Sequence, residues 1–334
     1  MAPAILIVNL GTPASLETND VSDFLDEFLM DRYVINLPWI ARFLIVKGFI
    51  LPFRPAKSAK AYQKIWDHAG KGTGSPILHY GKEVERQLEA YSSSKVRFAM
   101  RYGKPSLEDT IIELEASGVN DITLIPLFPQ FAGSTWTTIV KKTESLISRE
   151  TQLKVINPFF NNNDYLDAQA KSYRESLPQE FDYLLFSYHS LPKSHLKKAD
   201  PTRNHCMKLK DCCAESSLAH LTCYRYQAFS TSQHIAKRLQ LDPQKFGTSF
   251  QSRVGPTPWL TPRTDEQLVH LARIGVRDLA VACPSFIADN LETIEEIGIT
   301  GKQGFLKAGG RSFTLLPCLN ADPTWIKALS SLSH

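Results

Sequence analysis

Three groups of residues in this chain have types and spacings that do chemistry. The first is His189, in the run Phe186-Ser187-Tyr188-His189-Ser190-Leu191-Pro192. Near neutral pH an imidazole accepts a proton or ligates a divalent metal, although a lone histidine at a strand end is more often a hydrogen-bonded structural residue. The second is Asp289, Glu292 and Glu296, spaced i, i+3 and i+7 within Pro284–Ile297, a spacing that puts all three on one face of a helix. Such a line is ordinarily the solvated side of a surface helix. Aimed into a cleft, it passes protons outward or a hard cation inward. The third is Cys206, Cys212, Cys213 and Cys223.

Six cysteines in 334 residues do not make the disulfide frame of a small secreted domain. Four fall in one short segment and read as reduced thiolates gathered around a metal. Cys283 and Cys318, in apolar strand context, read as buried core.

The elements that must position these groups are legible as apolar, β-rich runs: Ile5–Asn9, Val96–Tyr102, Ile122–Phe128, Tyr183–Tyr188, Leu279–Cys283 and Phe313–Leu316. Amphipathic stretches such as Lys82–Tyr91, Leu107–Ala116 and Asp265–Arg273 lie between several of them. Continuous apolar strands alternating with helices predict parallel sheets covered on both faces. The pattern occurs once before about residue 155 and again after it. Asn157-Pro158-Phe159-Phe160-Asn161-Asn162-Asn163 reads as a loop between the halves, with Asn163 able to cap the next helix. The expected architecture is α/β, two doubly wound halves with a cleft between them. Residues 1–157 form the first domain, 158–310 the second, and 311–334 a strand and helix packing back on the body. His189 and Pro284–Ile297 both follow buried strands, where open α/β sheets bind ligands.

Asn9-Leu10-Gly11-Thr12-Pro13 follows the first strand, but a single glycine is no dinucleotide fingerprint. Gly70-Lys71-Gly72-Thr73-Gly74-Ser75-Pro76 lacks the phosphate-loop order and reads as a flexible loop. No nucleotide cofactor is expected. The apolar stretch from Val34 to Phe53 is long enough to suggest a membrane span. Arg42, Lys47, Pro38 and Pro52 oppose one, since a cation at the bilayer centre costs roughly 2.5–3.5 kcal/mol on insertion scales. Two compatible readings stay open: a buried helix and turn, or an apolar lip on a ligand cleft that also touches a membrane surface. A net charge of +4 suits an anionic substrate or membrane surface and is far from a nucleic-acid footprint. The first residues carry no basic region ahead of their apolar run, so a cytoplasmic protein is expected.

Taken together, the chain resembles the ferrochelatases, which insert ferrous iron into a porphyrin. Ser187-Tyr188-His189-Ser190-Leu191-Pro192 is similar to the family's histidine motif. Phe250-Gln251-Ser252-Arg253-Val254-Gly255-Pro256, with Pro258-Trp259-Leu260 and Pro262-Arg263-Thr264-Asp265-Glu266, resembles its second signature. Pro284–Glu296 resembles its acidic helix, and Asn9–Pro13, Met100-Arg101-Tyr102 and Phe128-Pro129-Gln130-Phe131 match the first half in order.

The resemblance implies two Rossmann-like domains with the porphyrin held between them. It makes His189 the metal ligand or the acceptor of a pyrrole proton. Glu292 becomes its acid–base partner, also touching the substrate Fe2+, and Asp289 and Glu296 continue a carboxylate path. Leu10, Arg101, Tyr102, Phe128 and Trp259 would line the macrocycle, and Lys64 would pair with a propionate. The segment from Thr202 to about Gln227 exceeds the family's plainest members, and some ferrochelatases hold a 2Fe–2S cluster through such an insertion. Cys206, Cys212, Cys213 and Cys223 are the expected ligands, with structural zinc or free thiols as alternatives. Cys212 and Cys213 are adjacent, so His205 or His220 could replace one of them. Rival functions are a cobalt or nickel tetrapyrrole chelatase and a non-catalytic iron or redox sensor. The apolar lip leans toward protoporphyrin over coproporphyrin.

Overall fold

A computed structural model describes residues 3–253 and 255–333. Met1 and Ala2, among the first residues, and Val254 of the second signature lie outside the described residues. The chain divides into two compact units, one of Met1–Phe128, Gly133–Pro158 and Ile326–His334, the other of Pro129–Ala132 and Phe159–Trp325.

Each unit is built on a four-stranded parallel sheet flanked by helices. The first contains β1 (Pro3–Gly11), β2 (Lys95–Tyr102), β3 (Asp121–Pro126) and β4 (Gln152–Val155), in the order β2-β1-β3-β4. The second contains β5 (Tyr183–His189), β6 (Phe246–Gln251), β7 (Asp278–Ala282) and β8 (Ser312–Leu315), in the matching order β6-β5-β7-β8. In the first sheet Leu6 and Leu124 pack with Leu107, Ile111 and Leu114 of one covering helix. In the second, Leu279 and Val281 pack with Leu268 and Leu271 of another. Both orders reverse direction between the first and third strands. That switch point leaves a crevice at the carboxyl ends, where open parallel sheets bind ligands. In the second unit the flanking loops follow His189 and Ala282.

Gly11 closes β1 with φ +140°, and a Cβ there would lie 2.0 Å from the Tyr102 carbonyl oxygen, so only glycine fits beside β2. The next helix after the mid-chain loop begins at Asn163, and its cap is Asn162, whose Oδ1 accepts from the Tyr165 N–H at 3.0 Å. This corrects the expectation for Asn163 by one residue.

Most of the large apolar side chains from Val34 to Phe53 are exposed. Trp39, Ile40, Leu44, Phe49 (72%) and Phe53 (78%) are exposed, and Trp39 stacks on Phe43. Arg42 faces inward at 7% exposure, as does the fully buried Val46 four residues on. Arg42 Nη1 donates to the carbonyls of Leu37 (2.9 Å) and Ile35 (3.3 Å), tying the turn to the helix Trp39–Ile45. The buried-helix reading is therefore set aside. No helix among the described residues is long and apolar enough to cross a membrane.

Candidate active site

His189 is the last residue of β5 and is partly exposed. Its Nδ1 lies 2.7 Å from the Ser190 carbonyl oxygen. A carbonyl only accepts, so Nδ1 carries the proton and Nε2 carries the lone pair. The main chain thus selects the tautomer that can take a proton or a metal.

Gln251 links this histidine to the acidic segment. It stands beside His189 in the β5–β6 register, and its carbonyl accepts from the Ser190 N–H at 2.7 Å. Its side chain is buried. Oε1 accepts from Ser187 Oγ at 2.6 Å, and Nε2 donates to the Glu292 carbonyl at 2.8 Å. A strand residue adjacent to His189 therefore fixes the backbone of Glu292.

The acidic segment differs from the predicted helix face. Asp289 lies in the loop before the helix. Asn290 acts as the cap, its Oδ1 accepting from the N–H groups of Glu292 (2.9 Å) and Thr293 (3.1 Å). The helix then winds as a π-helix from Glu292 to Gly301. Such windings with i→i+5 bonds are rare and concentrate at functional sites. The i, i+3, i+7 alignment assumed α geometry and one continuous helix, so it does not hold.

Each acid has its own surroundings. Asp289 is buried, and its carboxylate accepts from Asn320 Nδ2 (2.7 Å), the Cys318 N–H (3.3 Å) and Thr293 Oγ1 (3.3 Å). Glu296 accepts from the Ser252 N–H at 2.7 Å and from the Ser252 hydroxyl. Glu292 is partly exposed, with its main chain held at both ends by Asn290 and Gln251.

In the first unit, Leu10 and Phe128 are partly buried and Lys64 is exposed. Arg101 Nη2 donates to Asp31 Oδ2 at 2.7 Å, and its Nε donates to Thr138 Oγ1 at 2.9 Å. Tyr102 has no exposed surface, and its hydroxyl donates to the same Asp31 oxygen at 2.9 Å. Burial, then the Asp31 charge, pushes the phenol pKa well up. Tyr102 thus stands behind Arg101, stacked under its guanidinium at 4.4 Å, and is not a wall residue. Trp259, in the second unit, pairs through its backbone with Pro192, next to the histidine motif, and is partly buried.

The cysteine segment is also ordered around a carboxylate. Asp200 Oδ1 accepts from the N–H and hydroxyl of Thr202, and Oδ2 accepts from the N–H groups of His205 and Cys206, both at 2.9 Å. Burial opposes the charge, but these donors outweigh it and hold the carboxyl well below its usual range. A depressed folded pKa gives stability that is complete above the unfolded value of about 3.9 and is lost as pH falls through the folded one. Asp200→Ala at neutral pH is therefore expected to speed amide exchange at His205 and Cys206 by roughly tenfold or more, the effect of about one lost hydrogen bond each. Hydrogen-exchange mass spectrometry reads it, and wild type should loosen the same way only below about pH 4.

Cys206, Cys212 and Cys223 are buried and Cys213 is partly so, all as free thiols. Burial raises the Cys206 thiol pKa, against a lowering hydrogen bond with Cys223. A hydrogen bond with Cys223, then burial, raises that of Cys213, against the guanidinium of Arg225, whose Nη1 donates to Cys213 Sγ at 3.0 Å. Nε2 of both His205 (2.5 Å) and His220 (3.0 Å) contacts the Cys212 carbonyl, so each donates a proton there and keeps its lone pair on Nδ1. Among the described residues no three His, Cys, Asp or Glu side chains converge on a single ion. A mononuclear zinc site is thus not preformed. A binuclear cluster spreads its four sulfurs over two irons, and thiols linked through Cys223 with a cation at Cys213 fit that looser demand.

Sequence reasoning assigned no role to Gln251, Asn290, Asn320 or Asp31. Gln251 lies within a quoted motif, but a buried amide gives no periodic signal.

A protein-family model described as Ferrochelatase matches residues 2–334. A curated Ferrochelatase of Pseudomonas fluorescens (strain Pf0-1) is 46% identical over 334 residues, covering 98% of this chain and 96% of the relative. Another, of Azotobacter vinelandii, is 45% identical, covering 98% and 97%. Among solved structures, SirB from Bacillus subtilis with Fe3+ aligns with a TM-score of 0.54 at 13% identity, covering 99% of this chain and 94% of that one, a likeness of fold alone. The histidine motif, the acidic segment and the second signature are thus parts of a likeness that runs from end to end, and the chain belongs to the ferrochelatase family.

Proposed function

We propose that this chain inserts ferrous iron into a porphyrin with His189 and Glu292 as the groups that remove the pyrrole protons. Its membership of the ferrochelatase family makes it a metal-chelating enzyme. The observation that carries the assignment of roles is the His189 tautomer, with Nδ1–H committed to Ser190 and the Nε2 lone pair left for chemistry.

A free-base porphyrin holds two inner N–H protons that block metal entry. Bending the ring exposes a nitrogen lone pair, and a site shaped for the bent ring holds the substrate part-way to its transition state. One pyrrole proton passes to His189 Nε2 or, with the imidazole first on iron, directly to the Glu292 carboxylate. The second follows as Fe2+ takes the dianionic ring, so two protons leave for one divalent cation. Glu292 shuttles them from a backbone fixed by Gln251 and Asn290. Glu296 extends the path outward through its hydroxyl partner Ser252, and Asp289, fully engaged, anchors the loop. The macrocycle contacts remain those implied by the resemblance, with Tyr102 moved from wall to support of Arg101.

Cys206, Cys212, Cys213 and Cys223 would hold a 2Fe–2S cluster in this reading, which supplies one-electron redox chemistry when bound. The exposed apolar face from Trp39 to Phe53 supports peripheral membrane contact and a preference for protoporphyrin, the less carboxylated substrate. Phe49→Glu with Phe53→Glu is expected to abolish co-sedimentation with anionic phospholipid vesicles while leaving the melting temperature unchanged, since both rings are already in water.

An anaerobic assay with Fe2+ and each porphyrin tests the function: haem formation, faster with protoporphyrin than with coproporphyrin, is expected. The visible spectrum of the purified chain tests the cluster, whose bands should bleach with dithionite. A colourless protein would dismiss the cluster without touching the chelatase reading.

A further inference from the structure

The cysteine segment also walls a cavity of about 180 Å³ that the chelation chemistry does not use. Three cations line it: Lys193, at the start of the helix Lys193–Ala199, Lys210, and Arg225. No carboxylate lines it; the remaining walls include Cys212, Leu260 and Thr261. Neither lysine forms an ion pair among the described residues. Arg225 spends one N–H on a thiol sulfur, Cys213 Sγ, and stacks over Phe229 at 4.7 Å.

Some cations elsewhere in this unit pair with carboxylates. Arg263 pairs with Asp265 and Glu266, and Arg311 with Asp278. Lys193 and Arg225 are partly buried, so charge repulsion around this cavity is screened less than in open water, while Lys210 is exposed. A multiply charged anion reverses the balance, because each cation then gains a charge-assisted hydrogen bond.

We propose that this cavity is a binding site for a small, multiply charged oxyanion, a phosphate or a di- or tricarboxylate. Lys193 and Lys210 supply ammonium donors and Arg225 a guanidinium fork suited to paired oxygens. Arg225 belongs both to this site and to Cys213, so an occupant competes with the thiol sulfur for the guanidinium. The anion therefore acts on the cysteine segment through one named side chain. Binding itself does not require the cluster reading.

Isothermal titration calorimetry of the full chain with inorganic phosphate, and separately with citrate, at ionic strength fixed by sodium chloride, tests the site. Saturable binding of one anion per chain is expected, and the tighter of the two identifies the class. Lys193→Gln with Lys210→Gln should weaken it by roughly tenfold or more, and Lys193→Arg with Lys210→Arg should retain it. If the glutamine pair fails to fold by circular dichroism, Lys210→Glu, at an exposed position, makes the same test. The proposal is overturned if neither anion gives saturable heat, or if the charge-removing variant binds as tightly as wild type.

Discussion

His189→Ala is expected to lower the rate of iron insertion by ~10²–10⁴-fold, the range that a positioned acid–base group contributes. His189 ends β5, and among the described residues its side chain has one hydrogen bond, to the neighbouring Ser190 carbonyl. Removing it opens a partly exposed position and orphans no buried donor, so the melting temperature should stay within a few degrees of wild type. Porphyrin binding, followed by fluorescence, should survive. Loss of turnover together with retained binding and fold marks a group that acts on the reacting atoms. If binding and stability collapse with activity, His189 is a structural residue and the chemistry lies elsewhere.

The second large effect separates two acids that the sequence made equivalent. Asp289→Ala should cost about 3 kcal/mol of stability, because Asn320 Nδ2 and the Cys318 N–H lose their acceptor in a buried setting, each orphan costing about 1–3 kcal/mol. Thermal or denaturant unfolding reads this directly. Glu292→Gln should do the reverse: the backbone bonds to Gln251 and Asn290 remain, stability holds, and turnover falls by ~10²-fold or more. Equal loss of activity in both variants with no loss of stability in Asp289→Ala would restore Asp289 to the proton path.

Most of what positions the site was legible because buried parallel strands are written as continuous apolar runs. β1, β2, β3, β5, β7 and β8 each contain or nearly coincide with such a run. β6, Phe246-Gly247-Thr248-Ser249-Phe250-Gln251, escaped because hydroxyl side chains occupy its middle, where Ser249 hydrogen-bonds Thr264. β4 escaped through its brevity at a sheet edge. For the segment that begins at Trp39 the sequence left a buried helix and an exposed apolar lip both open, and the exposure of Trp39, Phe49 and Phe53 speaks against burial. Arg42 shares the inner side with the buried Val46, and the carbonyls of Ile35 and Leu37 accept from its guanidinium. The site itself was half legible. His189 stands at the predicted strand end, whereas Glu292, expected one turn inside a helix, opens it, and the Asn290 cap that excludes Asp289 from the helix has no signal beyond its residue type. Tyr102 sits in a motif, but only the Asp31 carboxylate, distant in sequence, decides that it faces inward.

The central claim is that His189 and Glu292 act as one unit on the same proton transfer. Anaerobic single-turnover conversion of enzyme-bound porphyrin on mixing with Fe2+, measured for wild type, His189→Ala, Glu292→Gln and the double variant, tests it most directly. Groups that work together are non-additive, so the double variant should be scarcely slower than the worse single one. Either single variant turning over at the wild-type rate, or a double variant slowed by the full product of the two single effects, would contradict it.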